Sequence, residues 1–108
     1  MLANHHGTLF AGQGLQLMAK VAFMAARSLA KQEVVMAGAN NISFLAPIPI
    51  GHVLTLRGQV VRIGRSSMTV QVSGLAEKPG SPAEEVLGGS FEMVAIDADG
   101  RPSPIELP

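Results

Sequence analysis

Two short clusters carry the residues of this chain whose types and spacing could do chemistry, and each lacks the partners that most reactions require. Asn4, His5 and His6 stand directly ahead of Gly7-Thr8-Leu9-Phe10-Ala11-Gly12. The paired histidines are half of a metal site, but the third histidine is the distant His52 and no carboxylate cluster completes a ligand set. A turn or pocket wall is the expected role. Asn4 taken alone suits a turn or a helix cap, where asparagine is favoured. The second cluster, Gly64-Arg65-Ser66-Ser67, sets an arginine beside two hydroxyls. Such a set can hold phosphate, and it also serves as plain hairpin chemistry. Neither serine lies in a Gly-x-Ser-x-Gly elbow. Asp97-Ala98-Asp99-Gly100 matches the start of a calcium loop but not its distal glutamate, and reads as a turn. There is no cysteine, which removes disulfides, thiolate metal sites and a cysteine nucleophile together.

Composition narrows the classes further. At 108 residues the chain fits a single domain, 1–108, with no room for a second core. Residues are 47% hydrophobic and only 15% charged, so apolar surface is expected to be buried between subunits. Eight basic and eight acidic residues cancel, which leaves no positive field for nucleic acid or an anionic membrane. The longest apolar stretch is broken by Gln13, Gln16, Lys20 and Arg27, so no membrane span is expected. No basic segment leads into an apolar signal core. These features together predict a soluble cytoplasmic domain.

The elements that must position the clusters follow from periodicity. Gln13, Gln16, Lys20, Arg27 and Lys31 form one polar stripe and predict a helix from about Thr8 to Lys31. Leu15, Met18, Ala22, Ala26 and Leu29 lie opposite, and further apolar residues widen their arc, so Met18 and Met24 are expected in the core. Gly12 and Gly14 weaken the first turns and suggest a close approach of backbone or ligand. Strands are predicted over Glu33 to Leu45, His52 to Ile63, Ser67 to Leu75 and Val86 to Ile96. Gly64-Arg65-Ser66 joins the middle two as a hairpin. One nearly apolar helix followed by antiparallel strands is an α+β layout, with a curved sheet around the helix.

The opening Asn4-His5-His6-Gly7-Thr8-Leu9-Phe10-Ala11-Gly12, with Leu17-Met18 in the helix, resembles the acyl-CoA thioester hydrolases of the hotdog fold. Asn41-Ile42-Ser43-Phe44 with Pro47 and Gly51 fits that family's second strand and turn. Val61-Arg62-Ile63-Gly64-Arg65-Ser66-Ser67 fits its third strand and turn. Phe91-Glu92-Met93-Val94-Ala95-Ile96-Asp97, with Asp99-Gly100-Arg101-Pro102, fits the last. The motifs occur in order over nearly the whole chain. The family's Met-Asp pair is Met18-Ala19 here, and its short first strand would be missing or reduced to Met1-Leu2-Ala3.

The resemblance implies a long helix wrapped by an antiparallel sheet, and hydrolysis of acyl-CoA to free acid and coenzyme A. It requires no cofactor beyond the coenzyme A of substrate and product. It places catalysis at Asn4 and at position 19, held here by Ala19. His6, Ala11, Gly12 and Met18 would surround the thioester. Backbone amides near Ala11 and Gly12 can polarise its carbonyl, because free N–H groups and the helix dipole point there. An asparagine amide can orient water or donate to an oxyanion without titrating. Gly64, Arg65, Ser66 and Ser67 would meet coenzyme A. The implied assembly is a homo-oligomer, a dimer or a hexamer built as a trimer of dimers, with each site shared between protomers.

Alanine offers no proton acceptor, so the chain should lack the main chemical group of its family. Three readings of Ala19 stay open: an inactivating change made to trap ligand, drift to a binding role, or transfer of the chemistry to His6 or Lys20. A naturally non-catalytic acyl-CoA-binding or assembly protein is the rival of another class. A hotdog dehydratase is a weaker alternative, because its usual aspartate and histidine pair is not visible.

Overall fold

Gly14, Met18, Ala22, Ala26 and Ala30 recur every fourth residue, and all five are buried. Four residues slightly exceed one turn, so they form a single ridge along a helix. Its members are small apart from Met18, which lets a sheet come close along the whole length. The computed structural model describes residues 11–48 and 51–107. It contains one helix, α1 (Ala11–Ala30), followed by β1 (Val34–Phe44), β2 (Val53–Ile63), β3 (Ser67–Glu77) and β4 (Glu84–Ala95). The expected helix began at Thr8, and positions 8–10 lie outside the described residues. At its other end the helix stops one residue earlier than expected. Lys31 turns into the left-handed region at φ 57° while its N–H donates to the Arg27 carbonyl at 3.0 Å.

The strands form one antiparallel sheet in the order β1-β4-β3-β2. The hairpin of β2 and β3 is the one expected. Both strands flanking the 78–83 loop run two residues further into it than the alternation suggested, because Ala76 pairs with Glu84 and Leu75 with Glu85 across it. The helix touches all four strands and lies on one face of the sheet. Met68, Val70, Val72, Leu87, Phe91 and Met93 point into the core beneath it and are almost wholly buried. Gly58 in β2 marks the tightest approach. A Cβ there would stand 2.8 Å from Val21 Cγ1 and 3.4 Å from the Val21 carbonyl, so only glycine lets the strand meet the helix at that distance. This is the α+β hotdog arrangement, a long helix packed against a four-stranded antiparallel sheet.

β1 shifts register twice, between Met36 and Gly38 and between Asn40 and Ser43. Asn41 takes φ 54° at the second shift, a conformation asparagine tolerates better than most side chains. The bulges bend this edge strand around the core. Two core expectations fail. Met24 is 66% exposed, because it lies two residues beyond Ala22 and hence about 200° round the axis from the buried ridge. Leu15, expected on the buried face, is 39% exposed, and Phe23 is 38% exposed. The helix therefore carries an apolar flank that the sheet of its own chain does not cover.

Candidate functional site

That flank is one wall of a groove of about 560 Å³ between the helix and the β1 edge. Gln16, Ala19, Lys20, Phe23 and Met24 come from α1, and Val34, Val35, Met36 and Met93 from the sheet. The sheet contributes in this way because β1 pairs with β4 so that Met36 faces Met93. Ala19 is half-buried on the wall. Of the nine described lining residues only Gln16 and Lys20 are polar, and none is acidic. The groove can therefore hold an apolar chain, with an amide and an ammonium on the helix flank, and it offers no carboxylate as base or nucleophile.

Gly12 precedes Ala19 by seven residues, which puts it about two turns, or roughly 10 Å, earlier on nearly the same side of the helix. It is exposed, and apart from its own stretch of helix no atom lies within 4 Å of the place a Cβ would take. Gly12 lies in the first described turn of α1 (Ala11–Ala30). Met18 is fully buried in the core, one residue away from the groove wall. Asn4 and His6 lie outside the described residues, so of the expected catalytic set only position 19 is located.

The Gly64–Ser67 turn sits at the same end of the sheet as the β1 lining of the groove. Ser67 pairs with Val94, and Val94 with Val35, which spans two strand spacings or about 10 Å. Four backbone bonds brace the turn. Gly64 N–H donates to the Ser67 carbonyl at 2.7 Å, and Ala95 N–H donates to that of Ser66 at 2.8 Å. Ile105 N–H donates to the Arg65 carbonyl at 2.8 Å, while Ser103 N–H reaches back to Ala95 at 2.8 Å and holds the tail alongside. The Arg65 side chain is exposed and makes no hydrogen bond or ion pair among the described residues.

A polar network next to this turn is announced by no spacing in the sequence. Arg62 Nε donates to Thr69 Oγ1 at 2.9 Å, and its Nη2 donates to Ser67 Oγ at 3.2 Å and to Glu92 Oε2 at 3.0 Å. Thr69 Oγ1 donates in turn to Glu92 Oε1 at 2.6 Å. The hydrogen bond from Thr69, followed by the hydrogen bond and charge of Arg62, holds the Glu92 carboxyl below its ordinary value against a partial burial that raises it. Arg62 is visible in the sequence only as one residue of a strand motif. No spacing rule connects positions 62, 69 and 92, which meet because β2, β3 and β4 are neighbours.

The Asp97 turn is a turn. Its Oδ1 accepts the N–H groups of Asp99 at 2.9 Å and Arg101 at 3.0 Å, and no metal-holding cluster occurs among the described residues. Nor is any described helix long and apolar enough to cross a membrane.

The family model for the thioesterase superfamily matches residues 6–83. An uncharacterized acyl-CoA thioester hydrolase of Zymomonas mobilis is 33% identical over 100 residues, 92% of this chain and 67% of its own length. Among solved structures, an aspartate-to-alanine mutant of HI0827, a hexameric broad-specificity acyl-coenzyme A thioesterase, superposes with a TM-score of 0.89. It is 30% identical and covers 98% of this chain and 83% of its own. The acyl-CoA hydrolase of Staphylococcus aureus in complex with butyryl coenzyme A and coenzyme A gives a TM-score of 0.92 at 28% identity, over 98% of this chain and 65% of that one. The chain thus spans about two thirds of the length of several of these relatives.

Proposed function

Because the chain belongs to the thioesterase superfamily, we propose that it is an acyl-CoA thioesterase protomer whose hydrolytic carboxylate is replaced by Ala19. It binds acyl-CoA and releases free acid and coenzyme A slowly. The observation that carries this reading is the placement of Ala19 on an apolar groove with no acid among its described lining residues. A thioester carbonyl needs a stabilised oxyanion and an activated water or carboxylate nucleophile. Backbone amides at the start of α1 suit the first need. None of the described lining residues meets the second, since its polar members are Gln16 and Lys20 and neither is a carboxylate.

The acyl chain occupies the groove, and Arg65 with the hydroxyls of its turn contacts the phosphates of coenzyme A. Support for the second contact comes from the exposed, unpaired Arg65 guanidinium on a braced turn at the groove end of the sheet. The protein works as a homo-oligomer, a dimer or a hexamer of paired protomers. The exposed apolar flank of α1 and the open β1 edge, with Val35 44% and Met36 40% exposed, support this. Asn4 of one protomer then faces position 19 of the next.

The test is a panel of acyl-CoAs, with binding followed by calorimetry and hydrolysis by release of the coenzyme A thiol. Tight binding with turnover ~10²–10⁴-fold or more below that of ordinary enzymes is expected. Turnover in the usual enzymatic range of roughly 1–10³ s⁻¹ would mean that another base is at work, and the reading of Ala19 would be wrong.

A further inference from the structure

The hydroxyls of Ser67 and Thr69 differ in one respect that bears on ligand binding. Each has one proton and two lone pairs. Thr69 uses both kinds of group, accepting from Arg62 Nε and giving its proton to Glu92. Ser67 only accepts, from Arg62 Nη2 at 3.2 Å, so its proton has no partner among the described residues. A donor engaged on one lone pair fixes the oxygen and leaves the O–H directed elsewhere. Gly64 keeps that space clear, since a Cβ there would come within 3.1 Å of Ser67 Oγ and 2.9 Å of Arg62 Nη1.

We infer that Arg62 is a positioning residue: held by Glu92 and Thr69, it fixes the Ser67 hydroxyl as a hydrogen-bond donor to a phosphate of coenzyme A. This rests on the reading of the Gly64–Ser67 turn as the coenzyme A contact, and adds to it a division of labour. Arg62 contributes no net attraction, because the Glu92 carboxylate neutralises it at 3.0 Å. Arg65, without such a partner, supplies the charge. Ser67 supplies direction, and the planar fork of Arg62 supplies the rigidity that Ser67 needs. A lysine could not replace it, since one ammonium cannot reach three acceptors on two strands in these directions.

The test is a double-mutant cycle read by calorimetric titration of coenzyme A into the full chain at low salt. Ser67→Ala should weaken binding about tenfold, the loss of one hydrogen bond to a charged group. Arg62→Ala should weaken it by a similar factor, and Arg62→Lys should do the same. In the Ser67→Ala background, Arg62→Ala should have no further effect, because its influence passes through that hydroxyl. Arg65→Ala should weaken binding in every background. A merely structural Arg62 would lower the melting temperature and leave coenzyme A affinity unchanged, and that result overturns the inference, as does full additivity with Ser67→Ala. If Arg62→Ala does not fold, the isosteric Thr69→Val replaces it in the same cycle and is judged by the same non-additivity. Wild-type affinity in both Arg65→Ala and Ser67→Ala refutes the coenzyme A turn itself and this inference with it. Loss in those two but not in the Arg62 variants refutes the inference alone.

Discussion

Restoring a carboxylate at position 19 is the most direct perturbation of the proposed site. Ala19→Asp adds an acid to a half-buried wall that has none, one turn beyond Gln16 and facing Val35 and Met36 across the groove. The fold should tolerate it. Alanine to aspartate within a helix costs about 0.5–0.7 kcal/mol in propensity, and Ala19 lies beside the buried ridge formed by Met18 and Ala22, so no core packing is lost. The catalytic gain should be larger than that cost. A positioned general base contributes ~10²–10⁴-fold, or about 2.7–5.4 kcal/mol of barrier. The assay is thiol release from acyl-CoA, and the rate should rise with pH as the new carboxyl ionises, somewhat above the usual aspartate value of about 3.9 because the apolar walls desolvate it. A folded, oligomeric Ala19→Asp protein that hydrolyses no faster than the parent refutes the assignment of position 19. Subunit mixing then tests the shared site. A protein carrying both Ala19→Asp and Asn4→Ala should gain activity only after exchange with the parent chain, which unites one intact Asn4 with one new carboxylate. No recovery despite proven exchange would place both groups in one subunit.

Three further outcomes follow from the fold. Gly58→Ala should destabilise the protein by roughly 1–3 kcal/mol, read as a fall in melting temperature, because the added Cβ meets the stiff Val21 side chain and the helix backbone. Lys31→Gly should raise stability by about 0.5–1 kcal/mol in a denaturant titration, since glycine takes the left-handed conformation after the helix without steric cost. Thr69→Val should destabilise more at neutral pH than in acid: the folded value of Glu92 is depressed, so its contribution is fully present above the unfolded value of about 4.3 and is lost as pH falls through the lower folded one. Parallel melting-temperature profiles for wild type and variant across that range would contradict the role given to the Thr69 hydrogen bond.

The sequence by itself determined the elements and their kind. Polar positions on one side of the stretch from Gln13 to Lys31 announce a helix, and alternation in His52 to Ile63 and Ser67 to Leu75 announces a hairpin, because both periods are set by local backbone geometry. Residues near the start of α1 and in the Gly64–Ser67 turn could be marked as chemistry for the same reason, since their meaning lies in neighbours a few positions away. Tertiary structure alone decided what those residues face. The order β1-β4-β3-β2 brings Val34 to Met36 beside Met93 and so makes the groove into which Ala19 looks, though about half of the chain separates Met36 from Met93. The same order assembles Arg62, Thr69 and Glu92 from three strands. Helix phase against that sheet left Met24 outside the core, although its neighbours made it look buried. The physical reason is common to all three cases: local periodicity fixes which residues share a face, whereas the partner of a face is chosen by packing the whole sheet on the helix.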